Sequence, residues 1–337
     1  MRAARFHGTD QGLVVEEIDR PVPAAGQVLI EVRAAGVCGT ELHFLDGLLT
    51  PARTPITLGH EVAGVVAEVG PEVTSVSVVD QVAVDYQHSC GRCRHCVRGN
   101  DHLCDEPLGA LAFATDGGFA EYVVVPASST VPVPAGLDLA DAAVLCCSGT
   151  TALHATAASG VGDGDTAVVY GTGGVGLALV QVLKAAGVRV VAVARSEERL
   201  ALAREMGAGV TVNALTEDVA ARVAGVTDGL GADAVFELVG TEETSRAALA
   251  CLGKQGAVVY IGFSFDRVTI DPLSLVVPEQ RILTSVGNRH SELVEALELG
   301  AAGRLRTSVT TARLEDAPQV LEDLRAGRVV GRAVLVP

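Results

Sequence analysis

Four glycines in six residues, Gly171-Thr172-Gly173-Gly174-Val175-Gly176, stand between an apolar stretch at 167–170 and an apolar helical stretch at 175–186. Glycine there permits a tight strand-to-helix turn, a close approach of backbone to a ligand and close packing of the helix. A plain strand-to-helix turn is the competing reading. The alternation continues, however: Arg189–Ala194 then 197–206, Ala232–Leu238 then 242–251, and Ala257–Ile261. Strands that alternate with helices predict an α/β unit with a parallel, doubly wound sheet. In that context Gly171, Gly173, Gly174, Val175 and Gly176 read as a dinucleotide site with its pyrophosphate at a helix N-terminus. Helix 197–206 has its own signals. Ser196 can cap it, Gly207 can close it, and Leu200, Ala203 and Met206 share a face.

The first 140 residues have a different texture, with short strands at Val28–Arg33, Glu61–Val69, Val82–Asp85 and Tyr122–Val125, punctuated by Gly and Pro. This part is mostly β. After Ile282 helices at Ser291–Leu299 and Pro318–Arg325 precede a closing strand at Arg332–Val336. A length of 337 residues predicts two domains. The 41 acidic against 25 basic residues leave −16, a field that repels nucleic acid and anionic lipid alike. Two charge-free stretches, 166–183 and 142–162, are broken by glycines or by Ser, Thr and His, so neither is expected to span a membrane. Met1–His7 lacks the apolar core of a secretory signal, and a cytoplasmic protein is expected.

Eight cysteines in so long a chain do not suit a secreted disulfide scaffold. Cys90, Cys93, Cys96 and Cys104 form C-x2-C-x2-C-x7-C, the pattern of a closed tetrahedral zinc site. Free loop thiols or disulfides compete, but Gly91, Arg92, Arg94 and Gly99 offer little apolar material to shape the segment without metal. The interleaved His88, His95 and His102 are expected to be solvated loop residues. Elsewhere Cys38 stands in Gly36-Val37-Cys38-Gly39-Thr40-Glu41-Leu42-His43 and His60 in Gly59-His60-Glu61. Taken singly, these are a buried thiol and a core histidine. With a third Cys they would form a Cys2His site with an open fourth position.

These motifs, with Asp116-Gly117-Gly118-Phe119-Ala120-Glu121-Tyr122, Cys147-Ser148-Gly149-Thr150-Thr151 and Val330-Gly331-Arg332 in the same order, resemble the zinc-dependent alcohol dehydrogenases of the medium-chain dehydrogenase/reductase superfamily over the whole length. The resemblance implies a GroES-like catalytic domain at 1–147 and 283–337, with a structural zinc lobe at about 88–106, and a Rossmann domain at 148–282. It implies an enzyme that interconverts an alcohol and its aldehyde or ketone by hydride transfer with a nicotinamide cofactor, using two zinc ions per subunit. Cys38, His60 and Cys147 are the implied catalytic zinc ligands, with Glu61 beside the metal and Glu41 behind it. Only Cys147 is in register with the family's pattern, so Cys146 is assigned to packing. Thr40 takes the place of the hydroxyl that bonds the substrate oxygen, and His43 the outer end of a proton relay. Arg332 takes that of an arginine on the cofactor pyrophosphate, with an ordinary surface charge as its alternative. Tyr86 and Leu111 are placed in or near the pocket, and a homo-oligomer, dimer or tetramer, is implied. A zinc-free quinone or enoyl reductase of the same fold would need neither cysteine set, and a non-catalytic redox-sensing regulator would keep the fold without turnover.

Two departures stand out. Val79 precedes Asp80 where the family usually has Gly, so that turn is expected to be built differently. The acid expected about twenty residues after the glycine run, on the ribose 2′-OH, is replaced by Ala194, with Arg195 and Arg199 following. Glu197 and Glu198 share that segment, and a solvated helix start is the alternative for both arginines. On this basis NADP(H) is favoured over NAD(H).

Overall fold

A computed structural model describes all 337 residues, which form two compact units, Thr151–Val286 and Met1–Thr150 joined by Gly287–Pro337. In Thr151–Val286 six parallel strands lie in the spatial order Val210–Asn213, Arg189–Ala194, Thr166–Tyr170, Ala232–Glu237, Leu252–Tyr260, Arg281–Thr284. Along the chain this is the order 3-2-1-4-5-6 of the Rossmann fold, whose ligand crevice lies where the order reverses. Thr166–Tyr170, at that reversal, is buried throughout and runs into the glycine turn. Gly171 has φ +112°, and a Cβ on Gly176 would lie 1.9 Å from the Gly171 carbonyl oxygen. Only glycine lets helix Gly174–Ala185 start this close to the strand.

Each of the first five strands contributes a valine to one core: Val168, Val191, Val212, Val235 and Val258. Helix Glu197–Met206 buries Leu200, Ala203 and Met206 and ends at Gly207 with φ +114°. Ser196 occupies the cap position, but its side chain makes no capping bond. Glu197 instead accepts from Asn213 Nδ2 at 2.7 Å. Strand Val210–Asn213 and helix Val219–Val226 carry too little periodicity to be read from sequence.

The other unit is built on three sheets, of seven, three and two strands. In the largest, Gln27–Gly36 is central and pairs with Glu61–Val69, Tyr122–Pro126 and Arg332–Val336. Its side chains are buried on both faces, which is why its sequence is apolar almost without alternation. Around it pack Phe44, Ile56, Leu58, Leu111 and Phe119. The register sets Gly36 opposite Glu61 and Val334 opposite Gly36. One end of three adjacent strands therefore delivers Cys38, His60, Glu61 and Arg332 to the same place. No helix of the chain is long and apolar enough to cross a membrane.

The turn at Val79 is not rebuilt. Val79 adopts φ +75° while 75% exposed, its N–H donates to the Val66 carbonyl at 2.9 Å, and the Asp80 carboxylate accepts the Ser77 N–H at 2.8 Å. A glycine-type backbone thus carries a β-branched side chain, which costs on the order of 1 to 3 kcal/mol. We expect Val79→Gly to stabilise the protein by about 1 kcal/mol after the added freedom of the unfolded chain is counted, raising the calorimetric midpoint by about 2 °C. A lower midpoint would show that the turn holds no strain.

Candidate active site

The Cys quartet is assembled locally. Cys90 follows the short strand Gln87–His88, Cys93 caps the turn Arg94–Val97 that contains Cys96, and Cys104 follows Asp101–Leu103. The four Sγ atoms lie within 4.8 Å of one another. Separations of 3.9 Å for Cys90–Cys96, 3.5 Å for Cys93–Cys96 and 3.9 Å for Cys93–Cys104 match the roughly 3.8 Å between thiolates held tetrahedrally at about 2.3 Å from zinc. Backbone N–H groups, chiefly near Cys96 and Asp105, pull the Cys93 thiol down to about 6, favouring the thiolate that binds metal. None of the eight cysteines forms a disulfide. Two of the interleaved histidines depart from expectation. His88 and His102 are buried rather than solvated, and His88 Nδ1 pairs with Ser129 Oγ at 2.9 Å, in the short turn Ala127–Ser129. Burial lowers the pKa of His88 to about 4.

The second cluster gathers distant residues. Cys38 caps helix Gly39–Leu45, and its N–H donates to Glu41 Oε2 at 2.9 Å. Glu41 is fully buried and its Oε1 accepts from His60 Nδ1 at 2.7 Å. This bond leaves Nε2 as the nitrogen available to a ligand, the arrangement of a carboxylate behind a metal-bound histidine. Gly59, at φ +92°, admits the approach to His60, since a Cβ there would lie 2.4 Å from the Phe119 ring. Gly36 is needed for a similar reason, because its Cβ would fall 2.0 Å from Glu61 Oε2.

Cys147 lies on a π-helical turn, Leu145–Gly149, between helices Leu139–Val144 and Thr150–Ser159. Single π turns of this kind are frequent at functional sites. Cys147 joins Cys38, His60 and Glu61, with ligand atoms within 4.8 Å of one another. Cys146 turns away, its Sγ bonding the Val62 and Ala142 carbonyls at 3.5 and 3.3 Å.

The cluster holds mixed charge out of water. The Cys147 thiol, hydrogen-bonded to Cys38, holds Cys38 well below the usual thiol range against the effect of burial, with Arg332 and His60 assisting. Cys147 is raised by the same pairing. Burial lifts Glu61 to about 7 although Arg332 opposes it. Arg332 is 6% exposed, which excludes a surface charge. Its Nε donates to Glu61 Oε2 at 3.1 Å and one Nη bonds Oε1, so two of its three nitrogens are committed to Glu61. Sequence reasoning missed this pair, because nothing near Val330-Gly331-Arg332 points to residue 61.

Thr40 Oγ1 lies 3.6 Å from Cys38 Sγ. His43 is three residues further along the same helix, hence on the same face. Burial lowers its pKa, leaving a neutral imidazole at neutral pH. Tyr86 stands edge-on to His60 with centroids 5.5 Å apart, and Phe113, which no motif marks, is 6.1 Å from His60. Leu111 is fully buried, its N–H bonded to the Tyr86 carbonyl at 3.0 Å.

The glycine turn and the residues after it lie in Thr151–Val286. A Cβ on Gly173, the cap of helix Gly174–Ala185, would meet nothing within 4 Å, and no side chain caps that helix. Open space before unpaired helical N–H groups fits a pyrophosphate. Ala194 ends strand Arg189–Ala194. Arg199 is half-buried, and its pKa is lowered by burial and by the nearby Arg195 guanidinium.

The sequence matches two families in order, the alcohol dehydrogenase GroES-like domain over residues 24–135 and the zinc-binding dehydrogenase over residues 174–302. It is 37% identical to an NAD-dependent alcohol dehydrogenase of Sulfurisphaera tokodaii over 100% of both chains. Its fold is similar to the alcohol dehydrogenase of Aeropyrum pernix, with a TM-score of 0.94 and 31% identity over 100% of both chains. It is also similar to the cobalt- and zinc-bound thermostable alcohol dehydrogenase of Pyrobaculum aerophilum, with a TM-score of 0.91 and 30% identity over 100% of this chain and 99% of that one. With likeness of that degree along its entire length, and with both metal-competent clusters in place, the chain belongs to the zinc-dependent alcohol dehydrogenases of the medium-chain dehydrogenase/reductase superfamily.

Proposed function

We propose that Cys38, His60 and Cys147 hold a catalytic zinc with Glu61 beside it, and that Cys90, Cys93, Cys96 and Cys104 hold a structural one, in an enzyme that interconverts an alcohol and its aldehyde or ketone. The observation that carries this reading is the convergence of Cys38, His60, Glu61 and Cys147 ligand atoms within 4.8 Å. When bound, zinc supplies Lewis acidity toward the substrate oxygen and the nicotinamide supplies the hydride acceptor or donor. Everything else is the work of side chains. The Thr40 hydroxyl receives a hydrogen bond from the substrate hydroxyl, and neutral His43, one turn on, takes the proton toward solvent. Glu41 holds the His60 ring in its ligating tautomer. Arg332 holds Glu61 in place and opposes the effect of burial on its carboxyl. Tyr86, Leu111 and Phe113 supply the apolar wall. The free thiols of both clusters suit a reducing cytoplasm.

These roles separate by experiment. We expect the wild type to hold two zinc ions per subunit by elemental analysis and Cys104→Ser to hold one, with a lower midpoint of unfolding. Cys147→Ala should lose turnover while keeping its circular dichroism. His43→Ala should slow oxidation by about a hundredfold or less, mainly below about pH 8, with partial rescue by amine buffers. One zinc in the wild type, or full activity in Cys147→Ala, sinks the two-site assignment.

For the cofactor, NADP(H) is favoured over NAD(H) on one local ground. At the end of Arg189–Ala194 no acid is present to accept from a ribose 2′-OH, and Arg195 and Arg199 lie close enough to repel. Two guanidiniums suit a 2′-phosphate. The NAD dependence in the name of the Sulfurisphaera relative is a fact about that protein and weighs the other way. Ala194→Asp combined with Arg195→Leu should move the ratio of kcat/KM values toward NAD(H) by at least about tenfold, or about 1.4 kcal/mol. A wild type that already prefers NAD⁺ overturns the assignment.

A homo-oligomer, dimer or tetramer, is the third part of the proposal. Arg281–Thr284 ends the parallel sheet with one edge unpaired, and Phe265, Leu273, Val276, Val277 and Val286 are 64% to 76% exposed around it. An open apolar edge is a template for another strand, and a second copy paired across a twofold axis covers it. Light scattering should give a mass at least twice that of the chain, reduced by Val286→Asp. A monomeric wild type would refute this.

A further inference from the structure

Asp85 and His290 lie 205 residues apart and belong to no motif. Asp85 follows strand Gln81–Val84 and is 2% exposed. Its Oδ1 accepts the Gln87 N–H at 3.2 Å and its Oδ2 faces His290 Nδ1 at 3.3 Å. His290 opens helix His290–Ala301, and its own N–H donates to Asp101 Oδ2 at 2.8 Å. Arg289 donates to Asn100 Oδ1 at 3.0 Å. Three elements therefore meet at one imidazole. They are the strand end that carries Tyr86, the loop between Cys96 and Cys104, and the helix that packs on the π turn holding Cys147.

Tyr86 is caught between them. Its ring stands against His60, and its hydroxyl abuts Gly287, where a Cβ would lie 2.8 Å from Oη. Asp85 anchors the backbone one residue before Tyr86, and His290 anchors the segment that begins at Gly287. A shift at either anchor moves the wall against the zinc ligands.

We propose that Asp85 and His290 are positioning residues that clamp Tyr86 over the Cys38, His60 and Cys147 cluster, and that the clamp loosens as the imidazole loses its proton, so that discrimination against bulky alcohols falls with rising pH. The proposal rests on the active-site reading above. The carboxylates of Asp85 and Asp101 face the imidazole from the strand end and the loop. His102 lies beside Gly287 on the same side. On the helix itself, Glu292 is occupied by the Arg289 N–H. The bond to Asp85 raises the pKa of His290 against burial, and burial raises that of Asp85. A histidine with a raised pKa contributes fully below the ordinary value of about 6.5, and its contribution is lost as pH rises through the folded value. Above that value the buried carboxylate faces a neutral ring, and the Coulomb attraction between the two charges is lost.

The test compares kcat and KM for a small primary alcohol and a bulky aromatic secondary alcohol in the zinc-loaded enzyme from about pH 6 to about pH 9, a window that includes an imidazole raised above its usual value. In the wild type the ratio of kcat/KM, small over bulky, should fall at least about threefold across the window, with the change in the KM of the bulky substrate. His290→Gln should show the high-pH ratio throughout. His290→Lys, charged until about pH 10, should show the low-pH ratio throughout. A His290→Gln ratio that follows the wild type at every pH overturns the clamp, whereas a zinc-loaded wild type that oxidises no alcohol overturns the active-site reading instead. A second readout needs no turnover. The chain has four tyrosines and no tryptophan, so the fluorescence difference between wild type and Tyr86→Phe reports on Tyr86 alone. A pH transition present in that difference and absent from the His290→Gln background supports the clamp, and the same transition in both backgrounds refutes it.

Discussion

A carboxylate with no exposed surface needs a partner to offset the lost hydration, and Arg332 opposes that cost for Glu61 across 271 residues of chain. Much of the catalytic unit follows from it. The pair fixes the first residue of Glu61–Val69 beside the first residue of Arg332–Val336, and between them Gln27–Gly36 must end in glycine because the Glu61 carboxylate occupies the space of a side chain. The last segment of the chain is thereby part of the site. Removing either partner leaves a buried charge unpaired, a loss of about 3 to 5 kcal/mol in comparable pairs.

A second carboxylate organises the other side. Glu41 satisfies the Cys38 N–H and the His60 Nδ1–H together, so one buried acid sets a helix start and a ring tautomer. The two acids differ in role. Glu41 faces away from the ligand atoms and orients them, whereas Glu61 is among them and is restrained by Arg332. This division of roles explains how two thiols, an imidazole and two carboxylates share one largely buried site.

The two cysteine sites differ in how they are made. The quartet lies in fifteen residues, its geometry set by short turns and backbone N–H groups, so spacing alone reveals it. The second cluster draws on residues 38, 60 and 147, and its third member lies on a π turn. Cys146 and Cys147 are adjacent and chemically alike, and register within a family motif favours Cys147, but the fold is what directs one sulfur to the ligand cluster and the other to backbone carbonyls. Backbone geometry also settles Val79, where a left-handed conformation persists without the glycine that usually permits it.

By itself the sequence determined the elements whose signals are local. Helix Glu197–Met206 has a buried face at helical spacing and a terminal glycine, the glycine turn sits between an apolar strand and an apolar helix, and the quartet has zinc spacing. Tertiary structure decided what depends on partners far along the chain. Arg332 could read as an ordinary surface charge until strand pairing buries it on Glu61. His88 and His102 read as loop residues until the fold buries them, His88 against Ser129. Phe113, Asp85 and His290 carry no signal at all, because their roles are defined by which element lies opposite. A hydrogen bond to a neighbour is written in the spacing of residues, but the partner of a buried charge is chosen by the register of strands, which the pattern along one segment does not contain.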